Sequence, residues 1–183
     1  MGISRVSVVI PTYRGMSHLE EAIRSVLGQT YADLELIVVD DASPDAPARV
    51  VEAFGDPRVK YVRHSVNKGA VAARQTGVAA SSGDVIAFLD QDDLFHARKL
   101  EMHVDYFARD PGVGMTFNDR VEIRGEDKRP CGLHRAPTSP QLSDWLLGFP
   151  VAPSDVVLGR DWAVKDEIWE HSAVRHREQV VFN

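Results

Sequence analysis

The sequence predicts an α/β fold: a Rossmann-like three-layer sandwich with a mostly parallel central sheet flanked by helices. Three observations predict it. The short apolar runs Val6–Ile10, Leu34–Val39 and Val85–Leu89 have no polar side, so they read as strands buried on both faces. Stretches of helical periodicity separate these runs, and such alternation implies right-handed crossovers between parallel strands. Each run also ends in polar residues, at Pro11-Thr12, at Asp40-Asp41 and at Asp90-Gln91-Asp92-Asp93.

Each element has its own justification. Val6–Ile10 is the first strand, closed by Pro11-Thr12-Tyr13. Ser17 and Glu20 have capping-box spacing, and Leu19, Ala22, Ile23, Val26 and Leu27 follow on one helical face until Gly28. Leu34–Val39 is the second strand. A second helix is expected over 46–54, and Val59–Val62 is a third, more amphipathic strand. Asn67-Lys68-Gly69 turns the chain into a small-residue helix, 70–80, whose alanines suit close packing on a sheet. Ser82-Gly83 ends that helix and Val85–Leu89 follows. A helix over 97–109 presents Leu100, Val104 and Phe107 on one face, and Val113–Phe117 reads as a fifth strand. Residues 125–140 are rich in charge, Gly and Pro and read as a long loop. Helices are expected over 141–147 and 159–169.

The 183 residues suffice for one domain with a real core. A net charge of -6 gives no basic field for nucleic acid or anionic lipid. The single cysteine, Cys131, excludes an internal disulfide and fits a reducing compartment. No apolar run approaches the roughly 18 residues of a membrane-spanning helix. The expected location is the cytoplasm, with peripheral attachment to the inner face of the plasma membrane as an option, and a homodimer is compatible.

The chemistry concentrates at the strand ends. In an open parallel sheet, ligands bind beyond the carboxyl ends of the strands. Asp90, Asp92 and Asp93 repel one another unless a cation lies between them. A divalent ion held by one or two carboxylates, with water and substrate phosphate completing its shell, answers that repulsion. The alternative is a solvated turn with a helix N-cap. No glycine-rich phosphate cradle of the dinucleotide or P-loop kind is present, so a diphosphate would rely on metal and cations. Asp92 is the principal candidate metal ligand, with Asp90, and Lys68 and Arg74 are candidate cations. The Asp40 carboxylate can only accept, which favours a base with a ring N–H (uracil, thymine or guanine). An Asx-turn is the plain alternative for Asp40 and Asp41.

Pro11-Thr12-Tyr13, Val39-Asp40-Asp41-Ala42-Ser43, Asn67-Lys68-Gly69 with Ala73-Arg74 and Gly77, and Leu89-Asp90-Gln91-Asp92-Asp93 stand in an order and spacing that resembles glycosyltransferase family 2. The resemblance covers residues 4–118 closely and the rest loosely. It implies a GT-A fold, a nucleotide-diphospho-sugar donor, transfer with inversion, and Mn2+ or Mg2+ as cofactor. It would place Thr12 and Asp40 at the nucleoside and Arg74 by the base or diphosphate, with Pro11, Tyr13, Asp41, Lys68 and Gln91 also among the residues that bind the nucleotide-sugar. Asp90 would reach the ribose or sugar, with Asp92 on the metal as last acid of the D-x-D motif. Residues 1–118 would then form the nucleotide-sugar half and 119–183 the acceptor half of one domain, which is expected to be C-terminally incomplete.

An inverting transfer also needs a base for the acceptor hydroxyl. In the family this belongs to an acidic pair downstream of D-x-D. The best match is Glu178-Gln179, which departs from the family in its second residue; Asp166 or Glu167 could take the duty instead. The acceptor would be a saccharide, a lipid-linked saccharide or a protein. The alternative functions are a nucleotidylyltransferase and a nucleotide-sugar-binding module without catalysis.

Overall fold

The computed structural model describes residues 3–110, 112–124, 127–131 and 153–165. In chain order these form β1 (Val6–Thr12), α1 (Met16–Leu27), β2 (Leu34–Asp40), α2 (Ala48–Glu52), β3 (Val59–Arg63), α3 (Ala70–Ala80) and β4 (Val85–Phe88). There follow α4 (Lys99–Arg109), β5 (Met115–Phe117), β6 (Arg120–Arg124), β7 (Asp127–Cys131), a 3-10 turn (Pro153–Asp155), β8 (Val156–Gly159) and α5 (Arg160–Ala163).

Six strands make one sheet in the order β3-β2-β1-β4-β8-β5. β1 pairs in parallel with β2 and β4, and β2 with β3. β8 enters antiparallel between β4 and β5. The apolar runs work as two-faced strands because their alternate residues feed two separate cores. Val8, Ile10, Leu36, Val38, Ala87 and Leu89 pack against Leu19, Ile23 and Val26 of α1 and Leu100 and Phe107 of α4. Val9, Ile37, Val39, Ile86 and Phe88 pack against Ala73 and Val78 of α3 and Ala163. The result is three layers. Fully burying a Val, Leu or Ile side chain contributes about 2 kcal/mol, so the sheet gives rigid support to whatever its edge carries. The small residues of α3 allow close approach to that sheet: a Cβ on Gly77 would lie 2.2 Å from a Val9 methyl.

Several local expectations are corrected. α1 begins at Met16 with Gly15 as its N-cap and no side-chain cap, so Ser17 lies inside the helix and the capping box does not form. α2 occupies only Ala48–Glu52 of the expected 46–54. Leu89 lies one residue past β4, fully buried, with its N–H on the Val9 carbonyl at 3.0 Å. The expected loop over 125–140 contains β7, which pairs antiparallel with β6 as a hairpin. Val156–Gly159 is a strand, and the helix expected from residue 159 spans only Arg160–Ala163 within the described residues. The helix expected over 141–147 lies outside them. Among the described residues no helix is long and apolar enough to cross a membrane.

Candidate active site

The strand order reverses beside β1, with β2 and β3 on one side and β4 on the other. Such a switch point opens a crevice at the carboxyl ends of the strands. Thr12 is the register partner of Asp40, and Val9 that of Phe88, two residues before Asp90. Thr12, Asp40 and Asp90 therefore share one edge of the sheet.

Gln91 ties β1 to the acid loop. Its Oε1 accepts from the Thr12 hydroxyl at 2.7 Å and the Tyr13 N–H at 3.0 Å, and its Nε2 donates to the Tyr13 carbonyl at 3.2 Å. Gly15 makes room for this amide, since a Cβ there would lie 1.9 Å from Oε1. Gln91 thus spends its side chain on the protein, and the Tyr13 ring stays 39% exposed beside the crevice.

Asp40 is wholly buried. Its Oδ1 accepts the Ser43 N–H at 2.7 Å, its Oδ2 accepts the Tyr61 hydroxyl at 2.6 Å, and the Arg63 guanidinium lies 3.5 Å away. Burial and this hydrogen bond push the Tyr61 hydroxyl pKa up. Asp41 gathers the turn that enters α3, accepting the Lys68 N–H at 2.8 Å and the Gly69 N–H at 2.7 Å. It also accepts from His64 Nδ1 at 2.7 Å. A carboxylate can only accept, so Nδ1 carries a proton. Burial pushes the Asp41 carboxyl up, but the His64 bond and the two amides outweigh it and hold its pKa below the usual range. Asp41 thereby fixes the backbone at Lys68, whose side chain is exposed.

Arg74, on α3, reaches across to Asp90, with Nη2 donating to Oδ1 at 2.5 Å. Its buried Nε has no hydrogen-bond partner among the described residues. Asp92 is exposed and has no hydrogen bond or ion pair among the described residues. The carboxyl of Asp93 is pushed up by burial, against a hydrogen bond from Ser154, and further by the charges of Asp90, Asp92 and Asp155. Neither Asp92 nor Asp93 caps a helix, because α4 starts at Lys99 with Arg98 as N-cap.

A divalent cation fits this donor set. Among the described residues no three His, Cys, Asp or Glu side chains form a metal cage. Magnesium-like ions, however, bind through one or two carboxylates plus substrate phosphate. Asp92 offers an exposed carboxylate, unpaired among the described residues, and Asp90 flanks it while held by Arg74.

The expected site residues within the described part (Pro11, Thr12, Tyr13, Asp40, Asp41, Lys68, Arg74, Asp90, Gln91 and Asp92) lie on the ends of β1, β2 and β4 or on the entry to α3 and its first turns. Glu178, Asp166 and Glu167 lie outside the described residues. The sequence reading missed Gly15, Tyr61, Arg63 and His64, together with a polar group behind the acid loop that includes Lys99 and Ser154. Tyr61 and Arg63 were visible as polar residues of the amphipathic third strand. Lys99 carried no signal, because a lysine at the start of a helix reads as surface.

Comparison with known proteins follows the same lines. The family model described as Glycosyl transferase family 2 matches residues 7–153. The UDP-Glc:alpha-D-GlcNAc-diphosphoundecaprenol beta-1,3-glucosyltransferase WfgD of Escherichia coli is 42% identical over 104 residues, which is 57% of this chain and 41% of that protein. The mannosyltransferase PcManGT from Pyrobaculum calidifontis, solved in complex with GDP-Man and Mn2+, superposes with a TM-score of 0.57 at 30% identity, over 63% of this chain and 35% of that one. Residues 1–349 of TarS from S. aureus superpose with a TM-score of 0.67 at 20% identity, over 90% of this chain and 49% of that one, a likeness of fold. The chain spans less than half the length of each of these three relatives.

Proposed function

The chain belongs to glycosyl transferase family 2, and from that premise we propose that it transfers a sugar from a nucleotide-diphospho-sugar to an acceptor hydroxyl, with inversion and with a divalent metal. The observation that carries the reading is that Asp92, exposed and unpaired among the described residues, stands beside an Arg74-held Asp90 at the switch point of the sheet. The donor's nucleoside would lie over the end of β1, between Thr12 and the exposed Tyr13 ring. Asp40 is buried and would shape that end through the turn at Ser43 and through Tyr61. Arg74 and Lys68 would face the diphosphate, with the unpaired Arg74 Nε as an available donor. Asp92, flanked by Asp90, would hold Mn2+ or Mg2+, which offsets the charge growing on the departing diphosphate.

The chemical step is one in-line displacement. The acceptor oxygen forms a bond to the anomeric carbon as the bond to the diphosphate oxygen breaks, and the acceptor proton passes to a base. Glu178 is the proposed base, with Asp166 as the second candidate. Residues 1–118 would carry the donor side and those beyond them the acceptor side. The E. coli relative supports a UDP-sugar donor and a lipid-diphosphate-linked saccharide acceptor, and the archaeal relative keeps GDP-mannose open.

The test is donor turnover. UDP-glucose, UDP-N-acetylglucosamine and GDP-mannose are incubated with the protein and Mn2+, and release of UDP or GDP is followed. Release from one donor, abolished by chelation and by Asp92→Ala, is expected. Release that survives both would refute the metal-dependent reading.

A further inference from the structure

Behind the acid loop, side chains from separate elements converge on Ser154, in the 3-10 turn that leads into β8. The Lys99 ammonium, at the start of α4, donates to the Ser154 carbonyl and to Asn118 Oδ1, both at 2.5 Å. Asn118 is itself held from two sides: its N–H donates to the Asp155 carbonyl at 3.1 Å, and its Oδ1 also accepts from His103 Nε2 at 3.1 Å. The Ser154 hydroxyl accepts the Asp90 N–H at 3.0 Å, and it lies close enough to the Asp93 carboxyl to oppose the rise of its pKa. One hydroxyl thus holds the start of the acid loop and lies against its end, on either side of Asp92.

We propose that Ser154, clamped by Lys99, is the positioning residue of the Asp90–Asp93 loop and sets the direction in which Asp92 faces the donor diphosphate. Lys99 is more than packing requires. It is 93% buried in the sense that only 7% of its surface is exposed, and removing an ammonium from water carries a large desolvation cost that an apolar side chain would avoid. Its two acceptors are a backbone carbonyl and an amide oxygen that sit directly behind the loop, so the charge is spent on holding the turn against the acids. Neither residue need touch substrate; both would act through Asp90 and Asp93. Outer-shell partners of this kind orient metal-ligating carboxylates. The inference rests on the donor-site reading given above.

The experiment measures Mn2+-dependent binding of UDP and GDP by calorimetry, well below the melting temperature, for the wild type, Lys99→Met, Ser154→Ala, Ser154→Thr and the Lys99→Met/Ser154→Ala double variant. Each of the first two substitutions is expected to weaken binding by about tenfold, and Ser154→Thr, which keeps the hydroxyl, restores it. The double variant binds no more weakly than the weaker single one, because Lys99 acts through Ser154. A merely structural role predicts lower melting temperatures with unchanged affinity in the folded protein, and that result overturns the inference. Independent, additive losses would overturn it as well. Ser154→Ala removes one hydroxyl and keeps the test open if Lys99→Met does not fold. Failure of the wild type to bind either nucleotide would instead strike the donor-site reading, and the inference with it.

Discussion

The side-chain amide of Gln91 pairs with the main chain of Tyr13 in both directions, accepting its N–H at 3.0 Å and donating to its carbonyl at 3.2 Å. Gln91, between Asp90 and Asp92, is therefore the clasp that fastens the acid loop to the end of β1. Gly15 is the space this clasp needs. Gly15→Ala and Gln91→Ala should each cost about 1 kcal/mol of stability, a fall in Tm of about 3 °C, and both should weaken nucleotide binding. Thermal melts and calorimetry check this. Because both substitutions remove the same clasp, the double variant should lose little more than either alone.

Tyr61 is the hydroxyl donor to the buried Asp40 carboxylate. Tyr61→Phe should cost about 2 kcal/mol, as for a hydrogen bond to a charged group, and should weaken nucleotide binding by loosening the Ser43 turn. Urea unfolding and calorimetry read the two effects. Tighter nucleotide binding in Tyr61→Phe would contradict this role, and would mean that Asp40 exchanges its tyrosine for a base N–H.

Glu35 stabilises the opposite end of the sheet. It accepts from the Ser7 hydroxyl and Lys60 at 2.7 Å, and from the Ser82 amide. Burial would raise its carboxyl, but Lys60, Ser7 and Ser82 bring it down to about 2. A folded pKa below the unfolded one gives stability that is present above the unfolded value and lost as pH falls through the folded one. Glu35→Gln should therefore be less stable than wild type at pH 7, by on the order of 2 kcal/mol. The gap should close between about pH 5 and pH 2. Chemical denaturation across that range measures it.

His103 is buried in the polar group behind the acid loop, with Nδ1 on the Thr116 hydroxyl at 2.6 Å and Nε2 on Asn118 Oδ1. Burial and the nearby Lys99 charge lower its pKa to about 4, against the Asn118 bond. The imidazole should stay neutral, with its proton on Nε2, down to about pH 5. Nitrogen-detected NMR titration tests this, and a midpoint near the ordinary value of about 6.5 would contradict the lowering by burial and the Lys99 charge.

The legible part of the fold was the part made of unmixed signals. Val6–Ile10, Leu34–Val39 and Val85–Leu89 have only one buried solution, and acids at the ends of the last two stood out against those apolar runs. The rest depended on partners distant in sequence. Asp127–Cys131 contains Lys128, Arg129 and Pro130, which disfavour a strand, and its extended form comes from pairing with Arg120–Arg124. Val156–Gly159 was too short to distinguish from a helix start, and its place between β4 and β5 is a property of the sheet. The site divides in the same way. Asp92 and Arg74 stood out in the sequence as candidates, whereas the use of Gln91 as a clasp and of Asp41 as a turn anchor depends on side-chain directions that no spacing fixes.

The most direct test of the central claim is calorimetric titration of UDP, GDP, dTDP and ADP, with and without Mn2+, into the wild-type protein and Asp92→Ala. The account predicts metal-dependent binding of at least one of the first three nucleotides, lost in Asp92→Ala while the fold is retained. Binding of none of them, or equal binding of ADP without metal, would contradict it and leave the acidic strand ends as turns alone.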